Sequence, residues 1–436
     1  MKHYKLPKRA DWLELCTRPN LDKKELEQSV KEILERVKKH GNEALFSYTE
    51  KFDGVKINEL CVTENEITNA QDKVCNALKQ AIQTAKANIE KFHLSQKETP
   101  QPIETTAGVV CWRKSIGIEK VGLYIPGGSA PLFSTILMLG IPAVQAGCKK
   151  IVLCTPPDKT GKINPAILYT AKLVGITEIY KIGGAQAIAA MAYGTASVPK
   201  VYKIFGPGNQ FVTKAKELIQ QDGVAIDMPA GPSEVLVIAD ATCNPAFVAA
   251  DLLAQAEHGS DSQVILVSSE EQVLVQTQKE LSVQLALLPR KGIAQEALKN
   301  SKAILCVSIE ECIELSNCYA PEHLIIAAEK TDDYAAKIIN AGSVFLGNYS
   351  CESAGDYASG TNHTLPTNGF ARSYSGVSYD SFVKKITFQK LSAKGIKNIG
   401  PAIEVMAESN RLATPKEKLL LITRLKDVKP FYGTLY

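Results

Sequence analysis

From about residue 119 to about 370, short apolar strands alternate with helical stretches, and this alternation constrains the fold more than any single residue does. The strands read Val121–Ile125, Lys150–Leu153, Ile179–Ile182, Val201–Phe205, Val235–Ala239, Val264–Val267 and Ala303–Val307. Helical stretches are expected around Leu132–Gln145, near Pro165–Leu173, from Ala185, after Asn209 and over Asn244–His258. Strands that are apolar on both faces and separated by helices build a parallel sheet covered on both sides. The fold class is therefore α/β. The loop Asp227-Met228-Pro229-Ala230-Gly231-Pro232-Ser233-Glu234, rich in turn formers, divides it. One α/β unit ends near 233 and another runs from there to about 370. The chain after 380 reads as helical, more charged and separate.

The region before 119 is helical. Leu26, Val30, Ile33, Leu34 and Val37 repeat with helical spacing up to Gly41. A second, long helix is expected from Thr63, where Thr63 and Glu66 fit a capping box. Its stripe is Ile67, Val74, Leu78, Ile82, Ile89 and Phe92. His40 and His93 stand in charged helical company and read as solvated.

Several function classes are disfavoured. The net charge of +4 over 436 residues is small and unclustered, so nucleic-acid binding has little support. No apolar run approaches ~18 residues, and the start, Met1-Lys2-His3-Tyr4-Lys5, runs into polar sequence. A cytoplasmic protein without membrane contact is expected. The 11 cysteines are odd in number and lack a Cys-x-x-Cys pair, against both a disulfide framework and a thiolate zinc site. Cys154 and Cys306 end apolar runs and read as buried strand residues.

Three stretches carry chemistry. In Asp251–Gly259, Asn244-Pro245 starts a helix, Gly259 stops it, and Gln255 and His258 share a face of its last turn. A carbonyl oxygen and an imidazole are half of a mixed N/O metal site; on spacing alone, two hydrogen-bonded residues fit as well. In Ala320-Pro321-Glu322-His323-Leu324, a carboxyl and an imidazole side by side are two proton-transfer groups, or a surface pair. The stretch Ser353–Thr367 reads as a long polar loop, a usual place for function. There Asp356 is a candidate oxygen ligand and His363 a candidate anion contact, unless the loop only bonds to itself. Gly-rich turns at Gly127-Gly128, Gly183-Gly184 and Gly206-Pro207-Gly208-Asn209 each follow a strand, where backbone N–H groups meet phosphates. None spells the usual dinucleotide fingerprint.

Together, Val121–Pro131, Gly183–Ala190, Phe205–Thr213, Ile226–Asp240, Asp251–Gln263, Ala320–Leu324 and Ala341–Thr367 resemble histidinol dehydrogenases, in unbroken order from about 20 to 407. The resemblance implies a homodimer built from two incomplete Rossmann-like domains with parallel sheets, plus small N- and C-terminal helical segments. It implies an N-terminal segment over 1–20. The larger domain would span 21–122 and 234–378, and the inserted NAD-contacting domain 123–233. A C-terminal segment over 379–436 would be exchanged across the dimer. The implied metal ligands are Gln255, His258 and Asp356, for Zn²⁺. Glu322 and His323 match the acid–base pair. Ser233 and His363 match substrate contacts, joined by Gln255, His258, His323 and Asp356. Tyr124, Gln186 and Asn209 match NAD contacts. The implied reaction oxidises L-histidinol to L-histidine through the aldehyde with two NAD.

The match departs near the C-terminus, where the family carries a substrate-binding Glu and, five residues later, a His that is its fourth zinc ligand. Aligned on Leu412, Asn410 stands in place of the Glu and Pro415 in place of the His, and no His follows His363. The fourth position then falls to substrate, water or Glu417, and weakened zinc binding and turnover are expected. A shifted reading frame over about 410–423 is the alternative. The competing readings are a catalytically impaired relative, a two-domain solute-binding protein and a zinc hydrolase.

Overall fold

The computed structural model describes residues 1–19, 23–127 and 131–410 of the 436. Its strands are β1 (Lys2–Lys5), β2 (Ile103–Thr106), β3 (Val109–Gly117), β4 (Lys120–Tyr124), β5 (Lys150–Thr155), β6 (Glu178–Lys181), β7 (Lys203–Phe205), β8 (Ala225–Ile226), β9 (Glu234–Ala239), β10 (Gln263–Ser268), β11 (Lys302–Leu305), β12 (His323–Ala327), β13 (Ser343–Leu346) and β14 (Val383–Leu391). The described residues form two compact units, one within 1–96 and 117–382, the other within 97–116 and 383–410.

The first unit holds two parallel sheets, as the strand–helix alternation requires. One has the order β6-β5-β4-β7-β8, the other β1-β11-β10-β9-β12-β13. Every residue of β9 and β10 is buried, because helices cover both faces. The segment before residue 20 adds an edge strand, β1, to the second sheet, besides its short helix Trp12–Leu15.

The helix that begins at Thr63 has the expected capping box, yet it ends at Ala70. Val74 and Cys75 are extended, and a new helix runs over Asn76–Ser95. The apolar stripe spans both pieces; tertiary packing, not periodicity, sets the break. Phe92 is exposed and leaves the stripe. His40 is exposed as expected, but His93 is fully buried. Burial is tolerated because both ring nitrogens are bonded, Nδ1 to the Ile89 carbonyl (2.9 Å) and Nε2 to Asn362 Nδ2 (3.2 Å).

The second unit pairs β2 with β3 antiparallel and carries β14 beside β3. Its post-380 segment, expected to be helical, is first a strand and then the helix Ala393–Ser409. Phe388 of that strand stacks on Trp112 at 5.4 Å. Cys154 and Cys306 are buried, and all 11 cysteines are free. No helix among the described residues is long and apolar enough to cross a membrane.

Candidate active site

The acid–base pair sits where the six-stranded sheet begins. His323 is the first residue of β12 and pairs in register with Val235 and Ser343. Just before it, Ala320 takes a left-handed conformation (φ 56°) that only a well-determined surrounding sustains in a residue with a Cβ. The surrounding is Arg18, whose Nη2 donates to the carbonyls of Tyr319 (2.9 Å) and Ala320 (3.3 Å) and to Glu234 Oε2 (2.9 Å). Its guanidinium also lies over the Tyr319 ring, 4.0 Å from the centroid. This clamp fixes the turn that delivers Glu322 and His323.

Glu322 Oε2 accepts from the Glu234 N–H (2.9 Å) and from Gln255 Nε2 (3.3 Å). The second bond orients the Gln255 amide. Its Oε1 is buried without a hydrogen-bond partner among the described residues. His323 Nδ1 bonds the Glu234 carbonyl (3.2 Å), so Nε2 carries the lone pair in the neutral ring. That Nε2 is buried, lacks a hydrogen-bond partner among the described residues and lies 3.8 Å from Asp356 Oδ1.

Asp356 is not on a loop. Residues Glu352–Tyr357 form a short helix, and the irregular chain begins after it. Glu352 and Asp356, four apart, therefore share a face. Ligand atoms of His323, Glu352 and Asp356 all lie within 4.8 Å of one another. Burial works against the imidazolium, but Glu352, Glu322 and Asp356 outweigh it and push the His323 pKa up to about 10. Burial raises the Glu352 carboxyl to about 8, and its Oε2 is another buried oxygen without a hydrogen-bond partner among the described residues.

Three carboxylates around one imidazole, with three orphaned buried donor atoms, form a site that a borderline divalent cation fits in charge and in donor type. Gln255 and Asp356 belong to this neighbourhood. His258 does not join the cluster: the helix expected to reach it ends at Ala256, and His258 is exposed in the following turn. The two bonds of that turn, from Glu257 N–H to the Leu253 carbonyl and from His258 N–H to the Gln255 carbonyl, end the helix before Gly259 is reached. Ser233 precedes β9 and is half-buried. His363 Nδ1 bonds the Asp356 carbonyl (2.9 Å) and Nε2 the Thr135 hydroxyl (3.1 Å), and burial keeps its pKa below the usual value. Of the C-terminal departures, Asn410 caps the last described helix; Leu412, Pro415 and Glu417 lie outside the described residues.

The second part of the site lies at the opposite kind of edge. The order β6-β5-β4-β7-β8 reverses its winding between β4 and β7, and ligands enter such sheets at the carboxyl ends of those strands. There a cavity of about 1050 Å³ is lined by Tyr124, Gln186 and Asn209, with Gly127 and Gly184 of the Gly-rich turns. Tyr124, at the end of β4, accepts from the Gly184 N–H (3.0 Å); burial pushes its pKa to about 12, so it is a neutral phenol. Asn209 Oδ1 caps the helix Gln210–Ile219 through Phe211 and Val212 N–H, which leaves its Nδ2 without a partner among the described residues. Gly206, at φ 128°, approaches β4 so closely that a Cβ would lie 2.0 Å from the Tyr124 carbonyl oxygen. Only glycine permits that turn. The cavity has the size and the mixed lining of a cofactor site.

Sequence reading missed Arg18, Glu234 and Glu352. The i, i+4 spacing of Glu352 and Asp356 is a signal only once a helix is foreseen there. Arg18 and Glu234, 216 positions apart, leave no local signal.

Comparison with known proteins gives one answer. The histidinol dehydrogenase family profile matches residues 16–420. Histidinol dehydrogenase of Bacteroides thetaiotaomicron is 56% identical over 98% of this chain and 100% of its own. That of Mannheimia succiniciproducens is 52% identical over 93% and 94%. The crystal structure of histidinol dehydrogenase from Elizabethkingia anophelis has 60% identity and a TM-score of 0.95 over 97% of this chain and 98% of its own. The chain belongs to the histidinol dehydrogenase family, a family of NAD- and zinc-dependent oxidoreductases.

Proposed function

We propose that the chain oxidises L-histidinol to L-histidine through L-histidinal, the last step of histidine biosynthesis, as a cytoplasmic homodimer. The observation that carries this is the buried Glu322-His323 pair beside the Glu352 and Asp356 carboxylates, in a unit that also holds the switch-point cavity. In this reading Gln255, His258 and Asp356 hold the metal, with a rotation of the exposed His258 side chain. Tyr124, Gln186 and Asn209 contact the cofactor. Ser233, His323 and His363 contact substrate along with the metal ligands. NAD, when bound, accepts the hydride, and zinc orients the substrate's imidazole and amine.

The remaining work falls to the chain. In the first oxidation His323 Nε2 takes the alcohol proton, its Nδ1–H held by the Glu234 carbonyl; a divalent cation on the neighbouring carboxylates would remove the charge that otherwise keeps the ring protonated. In the second, Glu322 takes a proton from the water that adds to the aldehyde, and the hydrate then yields the acid. Burial of both groups keeps the aldehyde away from bulk solvent between steps. The larger domain would comprise 21–122 and 234–378 and the cofactor domain 123–233. The segment after 378 would cross to the partner chain and complete its site.

The test is NADH formation from L-histidinol and NAD by chelator-stripped protein, with and without added zinc. Zinc-restored turnover to two NADH per histidinol is expected. Intact protein that binds histidinol and zinc but forms no NADH would overturn the reading in favour of an impaired relative, with Asn410 and Pro415 as the cause.

A further inference from the structure

The chain that follows Asp356 folds back on it. His363 Nδ1 bonds the Asp356 carbonyl (2.9 Å), which lies in the last turn of the helix Glu352–Tyr357, where a helix leaves its carbonyls without internal partners. A carbonyl only accepts, so Nδ1 carries the hydrogen and, in the neutral ring, Nε2 keeps the lone pair. The Thr135 hydroxyl, 3.1 Å from Nε2, then donates to it. Both ring nitrogens are engaged within the protein. His363 spans from Thr135 to Asp356 and, held in this way, has no nitrogen left for an anion.

The residue before it is held by the same helix, Phe133–Gln145, which follows β4. Asn362 is buried and uses its whole amide. Its Nδ2 donates to the Met138 carbonyl (2.7 Å) and to His93 Nε2 (3.2 Å), and its Oδ1 accepts from the Thr364 N–H (3.0 Å). The Met138 carbonyl is open to Asn362 because Pro142, four residues on, has no N–H to give it. Thr135 and Met138 are three apart and share a face of their helix. That face grips two successive residues, Asn362 and His363. The helix Glu352–Tyr357, six residues long, has too few internal bonds to fix its own place. The bearing of its two carboxylates therefore depends on what holds its ends. We infer that Thr135 and Asn362 are positioning residues for the metal cluster: they fix His363, and His363 fixes the end of the helix that carries Glu352 and Asp356.

This inference rests on the reading of Asp356 as a metal ligand, and the test separates the two. Zinc retained per chain is measured after dialysis against a graded chelator series, for the wild type, Asp356→Asn, Thr135→Val, Thr135→Ser and Pro142→Ala. Thr135→Val keeps the shape and removes the bond to His363. It is expected to weaken zinc binding by roughly 10-fold, the lower end of the usual loss when an outer partner is removed. Thr135→Ser keeps the hydroxyl and is expected to hold zinc as the wild type does. Pro142→Ala returns an N–H to the Met138 carbonyl, in competition with Asn362, and is expected to weaken zinc in the same direction. Removing a proline from a helix interior does not weaken the helix, so that loss could not come from misfolding. NADH affinity and the unfolding midpoint of the zinc-free protein are followed beside it. If Thr135→Val lowers both of these together with zinc affinity while Pro142→Ala changes nothing, the contacts serve the fold alone and the inference is overturned. Wild-type zinc retention in Thr135→Val and Pro142→Ala, with Asp356→Asn impaired, overturns the role of Thr135 and Asn362 alone. Wild-type retention in Asp356→Asn overturns the metal reading beneath it.

Discussion

The two halves of the site occupy opposite edges of two parallel sheets. The cofactor cavity lies at the carboxyl ends of β4 and β7, at the switch point where an α/β sheet is expected to bind a ligand. The acid–base pair lies at the amino end of the six-stranded sheet, with Glu234 opening β9, Gln263 opening β10 and His323 opening β12. At a carboxyl edge the helices that follow present their N-termini, and backbone N–H groups with small caps such as Asn209 suffice. At an amino edge no such donors converge. There the chain supplies charge instead: Glu322, Glu352 and Asp356 around one imidazole, with the Glu234 carboxylate paired to Arg18. One edge is built from backbone, the other from buried titratable side chains.

The sharpest test of that division is His323→Asn. Removal of a general base costs about 10²- to 10⁴-fold in turnover, while NADH affinity, which depends on the other edge, is expected to stay within a factor of two. Steady-state kinetics beside a direct NADH titration checks both. A parallel collapse of NADH binding would show that the two edges form one cooperative site. Next in size is Glu352→Gln. Glu352 raises the His323 pKa and offers a buried oxygen to the cluster. Its neutral isostere is expected to weaken zinc binding by roughly 10- to 100-fold, the usual effect of removing a supporting carboxylate. The measure is zinc retained per chain after dialysis against a graded chelator series. Retention equal to the wild type would place Glu352 outside the metal's surroundings.

The same division explains what was legible in the sequence. The parallel sheets, the Gly-rich turns and the capping box rest on short-range rules, so the α/β class and the turns that line the cavity could be read directly, whereas Tyr124, Gln186 and Asn209 came from the family resemblance. Glu322-His323 was visible because its two groups are adjacent. The charge around it was not: Arg18, Glu234 and Glu352 reach it from three distant segments, and only folding brings them together. His93 was misread for a related reason, since its second partner, Asn362, stands 269 positions away. The Gln255–His258 spacing was read on a helix that stops at Ala256, two residues too early for both side chains to share its face.

The smallest expected effect belongs to the cofactor edge and is a change in stability. Burial pushes Asp53, which lines the cavity, to about 6, and Lys159 offsets only part of that. A free carboxyl titrates near 3.9. Between these values the folded chain binds more proton than the unfolded one, so this group lowers stability as pH rises from about 4 to 6, with the full penalty present above 6. Asp53→Asn keeps the shape and removes the charge. Without cofactor its unfolding midpoint is expected to exceed that of the wild type at pH 8, by on the order of a degree in a chain of this size, since Asp53 is partly exposed and water screens it. The gap should close as the pH falls toward 4. A variant less stable than the wild type in the absence of NAD would mean that the carboxylate supports the fold. The cofactor edge would then depend on a buried charge as the catalytic edge does, and the distinction between the two edges would fail at this residue.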